Sequence, residues 1–232
     1  MKVAFIGAHG VGKTTLCYDL AAILKRQDIQ VDMVKEVARL SPLPINRQTS
    51  LEAQLWILST QIAEEIRSAA AHDVVVCDRS VLDNYAYLVL ATSRQRWLEP
   101  LVNRWIKGYD LLIKVPIIGT PAADGVRDTD ELFMRSIDRL VDELLAERKL
   151  RCLRLPADRR DEWAQIVTAH ALGVPLDDVV AAAAAFEPSP MRGVVRRLAS
   201  GATVVDDSYN SNPDAAVKAL ESARQHVDPV AG

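Results

Sequence analysis

Residues 7–14 read Gly7-Ala8-His9-Gly10-Val11-Gly12-Lys13-Thr14, the spacing G-x-x-x-x-G-K-[ST] of a loop that cradles phosphates. The stretch follows the apolar run Val3-Ala4-Phe5-Ile6 and leads into a helical pattern from Thr15-Leu16 to Leu24. A buried strand, a glycine-rich turn and a helix are the context this chemistry needs. Gly7, Gly10 and Gly12 allow backbone N–H groups to curl around an anion without Cβ clashes. The helix that opens at Lys13, Thr14 and Thr15 points the positive end of its dipole at the same anion. Lys13 is expected to reach the β- and γ-phosphates, and Thr14 to offer its hydroxyl to Mg²⁺. The stretch therefore predicts a nucleoside triphosphate site.

Working outward, apolar strand-like runs alternate with helix-period segments. The runs are Val3–Ile6, Val31–Val34, Val74–Cys77, Leu111–Val115 and Arg151–Leu155. Between them lie Thr15–Arg26, Leu51–Ala71 and Thr129–Glu147. In the second, Leu51, Leu55, Leu58, Ile62 and Ile66 recur at three- and four-residue steps, the signature of one apolar helix face. Leu132, Phe133, Ile137, Leu140, Val141 and Leu144 do the same in the third, with charges opposite. Fivefold alternation predicts an α/β fold of three layers, a five-stranded parallel sheet between helices. Such sheets bind ligands outside the carboxyl ends of their strands, so the residues that follow each strand are the candidates.

Asp78 closes the third strand, where a carboxylate beside a phosphate loop meets Mg²⁺ directly or through water. Arg79 follows, and its planar fork suits phosphate oxygens; Asp83, four residues on, offers it a purely structural partner instead. Glu36 and Arg39 follow the second strand and would face an acceptor, although a helix-start acid with a surface arginine has the same spelling. Arg127 lies in Gly125-Val126-Arg127-Asp128, a lid-like segment of the kind that closes over transferring phosphates. Arg135 and Arg139 read as solvated helix-face residues. Arg159, after the fifth strand, is placed where an adenine would sit. The four histidines show no metal-ligand spacing.

Composition sets bounds. The chain has 232 residues, is 49% hydrophobic and 25% charged, and carries a net charge of −3. With a pI near 5.8, no general nucleic-acid or membrane-surface binding is expected. No apolar stretch approaches the roughly 18 residues of a membrane span, and no leader pattern precedes the first strand. Cys17, Cys77 and Cys152 are odd in number and far apart, which argues for buried thiols in a reduced, cytoplasmic setting.

With these residues in view, positions 1–167 resemble the P-loop nucleoside and nucleotide kinases, and within them the AAA-type ATP-binding family. The segments that carry the resemblance are GAHGVGKTT, KEVAR, CDRSVLDNYAYL and DGVRD. It implies phosphoryl transfer from ATP, with Mg²⁺, to a small acceptor. In this reading Lys13 and Arg127 stabilise charge, Thr14 and Asp78 hold Mg²⁺, and Glu36, Arg39 and Arg79 address the acceptor. The alternative is a nucleotide-dependent switch with slow hydrolysis and a protein partner. Neither the acceptor nor the oligomeric state is legible.

Residues 168–232 form a second module in this reading. Residues 168–225 of it resemble a fragment of a Mur ligase, through ALGVPLDDVVAAAAAF, Pro190-Met191-Arg192-Gly193 and GATVVDDSYNSNPDA. The resemblance implies that Arg192, Asp206, Asp207, Asn210 and Asn212 match ATP-holding positions of that family. The ligase's own phosphate loop and its UDP-sugar domain are missing, so no peptidoglycan-precursor ligation is expected of this tail.

Overall fold

A computed structural model describes residues 1–45, 48–119, 131–173 and 175, together with the backbone of two strands at 194–197 and 203–206. Five parallel strands, β1 (Lys2–Ile6), β2 (Val31–Val34), β3 (Val74–Asp78), β4 (Leu111–Lys114) and β5 (Leu153–Arg154), form one sheet in the order β2-β3-β1-β4-β5. The phosphate-loop strand is thus central, paired with β3 on one side and β4 on the other, with Phe5 opposite Asp78.

Among the described residues the helices are α1 (Lys13–Arg26), α2 (Leu51–Ala69), α3 (Val81–Thr92), α4 (Glu99–Ile106) and α5 (Glu131–Glu147), which lie between these strands, and α6 (Trp163–Leu172), which follows β5. The alternation of side chains along each strand divides the interior into two cores. Ala4, Ile6, Val75, Cys77 and Leu112 pack with Leu58, Leu82, Tyr85, Val102 and Ile137 of α2–α5. Val3, Phe5, Val74, Val76 and Ile113 pack on the other face with Leu16, Leu20, Leu24, Trp163 and Val167 of α1 and α6. This is the expected three-layer architecture.

The sequence pattern missed α3, α4 and α6. Helix α3 is buried at Val81, Leu82, Asp83, Asn84, Tyr85, Ala86 and Leu88, so it has no polar face to set a period against. Helix α4 has only eight residues. The fifth strand is two residues long, not the five of Arg151–Leu155. Cys17 and Cys77 are fully buried on opposite faces of the sheet, where burial pushes both thiols up.

The chain divides into two compact units, Met1–Val179 and Val180–Gly232. In the second, β6 (Val194–Arg197) pairs antiparallel with β7 (Thr203–Asp206), Val195 opposite Val205. Asp206 is the last residue of β7. Arg192, Asp207, Asn210 and Asn212 lie outside the described residues.

Candidate functional site

The site is built at the carboxyl ends of β1, β2 and β3. Between β1 and α1 the chain turns through Gly7, Gly10 and Gly12, whose φ values of 126°, 75° and 96° lie where side chains are disfavoured. At Gly7 a Cβ would also stand 2.8 Å from the Val115 carbonyl oxygen. Gly12 caps α1 without any side-chain hydrogen bond, so the first N–H groups of a 14-residue helix face the loop.

Lys13 is buried, and its Nζ donates to the carbonyls of Gly7, at 3.0 Å, and Ala8. Burial, with Arg79 nearby, brings its amine from 10.5 down to about 8. Thr14 Oγ1 donates to Asp78 Oδ2 at 2.6 Å, so a hydroxyl and a carboxylate stand together at the end of β3. Two oxygen donors of this kind suit a hard cation such as Mg²⁺. Among the described residues no group of three or more His, Cys, Asp and Glu side chains forms a metal cage, and Mg²⁺ held with phosphates does not require one.

Arg79 has Glu36, not Asp83, as its carboxylate partner. Its Nε and Nη2 donate to Glu36 Oε1 at 2.9 and 2.7 Å. Glu36 Oε2 accepts from Arg39 Nε at 2.9 Å. The carboxylate after β2 therefore joins two guanidinium groups, Arg39 in the 3₁₀ turn Val37–Leu40 and Arg79 just after β3. Burial pushes the Glu36 carboxyl up, but the Arg79 guanidinium, with Arg39 and Lys13, outweighs it and holds it well below the usual carboxylate range. Arg79 also lies over the Tyr87 ring, 4.7 Å from its centroid, a cation–π contact. Its Nη1 is buried with no hydrogen-bond partner among the described residues. The structural alternative, an Asp83–Arg79 pair, is not what forms: the buried Asp83 carboxylate accepts from the Gly7 and Ser80 backbone N–H groups instead.

Two clefts open here. One is lined by His9, Gly10, Gly12, Lys13, Thr14, Thr15, Glu36, Arg39, Asp78 and Arg79. The other keeps His9, Glu36, Arg39 and Arg79 and adds Ala38, Ile45, Gln54, Ile57, Asn84 and Tyr87. His9 Nδ1 lies 3.0 Å from the Tyr87 hydroxyl, and Phe133 of α5 packs near both rings. Gln54 is buried; its Nε2 donates to Thr49 Oγ1 at 2.9 Å, and its Oε1 has no partner among the described residues.

The structure thus brings together Gly7, Gly10, Gly12, Lys13, Thr14, Thr15, Glu36, Arg39, Asp78 and Arg79. It does not bring Arg159 into either cleft: that residue is exposed and paired with Glu162 three residues on. Arg127 lies outside the described residues. Arg135 is exposed and bound to Glu131 at 2.6 Å, as a helix-face residue would be. Sequence reasoning missed Gln54, which carries no motif, and did not single out Tyr87 within the CDRSVLDNYAYL segment.

Comparison with known proteins agrees with this fold. The sequence profile of the family described as an AAA domain matches residues 2–162. No curated protein matches the chain. Among solved structures, deoxyadenosine kinase from M. mycoides with products dCMP and a flexible dCDP bound superposes with a TM-score of 0.55 at 16% identity, covering 75% of this chain and 100% of that one. The same kinase with bound dATP gives 0.55 at 15% identity, covering 74% and 99%. NadR protein in complex with NR gives 0.58 at 22% identity over 82% of this chain and 53% of NadR. At these identities the likeness establishes the fold.

Proposed function

Because the chain belongs to the AAA-domain family, its match spanning residues 2–162, we infer that it is an ATP-dependent phosphotransferase acting on a nucleoside or nucleotide. The observation that carries this reading is the shared wall of the two clefts: His9, Glu36, Arg39 and Arg79 line both. A molecule in the outer cleft would therefore present its reacting oxygen to a phosphate held by the loop, as in-line transfer requires.

In this reading the 7–14 loop and the start of α1 bind the triphosphate, and Lys13 and Arg79 meet its charge. Glu36 is ionised and oriented by two arginines, and it accepts a hydrogen bond from the acceptor hydroxyl. Thr14 and Asp78 would hold Mg²⁺, which neutralises charge developing on the phosphates when bound. Ile45, Ile57 and Tyr87 supply apolar and aromatic walls, and the Gln54 side-chain carbonyl, without a partner among the described residues, offers one acceptor for a ring N–H. That combination suits a nucleobase. The likeness in fold to a deoxyadenosine kinase and to NadR supports the same class.

The test is a panel of nucleosides and nucleoside monophosphates, incubated with ATP and Mg²⁺ and scored for phosphorylated product. The expected outcome is product with a restricted set of acceptors, reduced at least about a hundredfold by Arg79→Ala. ADP appearing slowly at one rate, whatever acceptor is present, would replace this reading by a nucleotide-dependent switch.

A further inference from the structure

The phosphate loop and Arg79 are tied together by one buried carboxylate. Asp83 is fully buried on α3. Its Oδ1 accepts from the Gly7 N–H at 2.8 Å, across 76 residues of chain. Its Oδ2 accepts from the Ser80 N–H at 3.0 Å and from the Ser80 hydroxyl at 2.8 Å. The Ser80 half is a capping box: the Ser80 hydroxyl in return accepts from the Leu82 and Asp83 N–H groups. A helix cap asks nothing of Gly7. The Gly7 bond is additional, and both turns it connects are conformationally demanding.

Gly7 enters the loop with φ 126°, and its carbonyl accepts from Lys13 Nζ at 3.0 Å. The carboxylate therefore lies one residue from the loop lysine's own anchor. On the other side, Ser80 follows Arg79, which has φ 89°, a left-handed conformation rare for a residue with a side chain. Such backbone persists only where its surroundings over-determine it. Here the Arg79 carbonyl accepts from Gln61 Nε2 at 3.3 Å, and the Val81 N–H donates to the Tyr109 hydroxyl at 2.9 Å. Gln61 and Tyr109 hold the turn from α2 and from the segment before β4, but neither reaches the phosphate loop. Asp83 bonds the backbone on both sides, at a junction also braced by the Arg79 N–H to the Phe5 carbonyl at 3.2 Å and by Thr14 Oγ1 to Asp78.

We propose that Asp83 is a positioning residue for phosphoryl transfer. Its carboxylate sets the spacing between the phosphate loop and Arg79, and through Arg79 the placement of the Glu36 carboxylate in the outer cleft. The proposal rests on the phosphotransferase reading, and a misplacement of about 1 Å in such a site costs on the order of a hundredfold in rate.

Asp83→Asn keeps the shape but has one acceptor oxygen where two are used, so either Gly7 or Ser80 meets an N–H instead. Ser80→Ala removes hydroxyl bonds of the cap and leaves the Gly7 tie. Both variants and Arg79→Lys are compared with the parent in thermal unfolding, in steady-state transfer to an accepted nucleoside, and in ADP affinity by calorimetry. The expected result is similar melting temperatures for Asp83→Asn and Ser80→Ala. The turnover number should fall between about tenfold and a hundredfold in Asp83→Asn, with the acceptor KM changed less than about threefold, while Ser80→Ala stays within about threefold of the parent. Combined with Arg79→Lys, Asp83→Asn should add less than about threefold, because both act through one side chain. A loss of turnover that follows melting temperature in both variants, or that multiplies in full with Arg79→Lys, overturns the proposal. If the parent phosphorylates nothing on the panel, the phosphotransferase reading fails by itself. The tie is then judged on ADP affinity: a non-additive Asp83→Asn and Arg79→Lys cycle upholds it, and an additive cycle rejects it.

Discussion

Lys13 should take up a proton when a nucleotide binds at mildly alkaline pH. The side chain is buried and its amine is held down to about 8, so at pH 8 about half of the free protein carries it neutral. Phosphate oxygens beside the amine favour the charged form, and binding restores the missing fraction. The uptake should be about half a proton at pH 8 and about nine-tenths at pH 9. The phosphates of ADP are fully ionised at both values and contribute nothing. Calorimetric titration of ADP in two buffers of different ionisation enthalpy measures the uptake directly. Uptake that stays near zero from pH 8 to pH 9, with ADP still binding, would refute the assignment of Lys13 to the phosphates. The same perturbation has a stability counterpart. The unfolded chain holds the proton up to 10.5 and the folded one only to about 8, so this group makes stability rise with pH between those values. Below about 8 the penalty is fully present, at about 1.4 kcal/mol per pH unit of the difference, or roughly 3.5 kcal/mol.

Three further outcomes follow from particular contacts. Gly7→Ala places a Cβ 2.8 Å from the Val115 carbonyl at φ 126°, and should cost about 1–3 kcal/mol, read as a lowered melting temperature, with loss of ADP binding in the folded fraction. Glu65 is fully buried and accepts from Lys2, Trp105, Tyr109 and Gln61; Glu65→Ala strands those donors and should cost about 3–5 kcal/mol in urea unfolding. Asp78→Asn removes the carboxylate that pairs with Thr14 and should raise the Mg²⁺ concentration needed for half-maximal turnover by about 10- to 100-fold; an unchanged Mg²⁺ dependence would remove Asp78 from the metal site.

The Arg79–Glu36 pair shows where sequence reading stops. Arg79 sits beside two acidic residues in the chain, Asp78 and Asp83, yet donates to one 43 positions away. That choice depends on β2 lying next to β3 and on the left-handed backbone at Arg79, neither of which leaves a local trace. Gln54 was illegible for a related reason: on a buried helix, a cleft-lining polar side chain reads like any other interior residue, and Tyr87 was not told apart from its neighbours in the 77–88 segment.

By itself, the sequence determined the phosphate loop, the strand runs and the three-layer class. These are encoded within a few residues of one another: glycines where φ must be positive, a strand before them, a helix after. It also marked Asp78, Arg79, Glu36 and Arg39 as strand-end residues, because parallel sheets gather function at one edge. Only the tertiary structure decided which of them meet. The strand order β2-β3-β1 sets Glu36, Arg79 and the loop side by side, and Asp83 on a buried helix ties the last two together. Those distances are properties of packing between segments far apart in the chain, and local patterning carries no record of them.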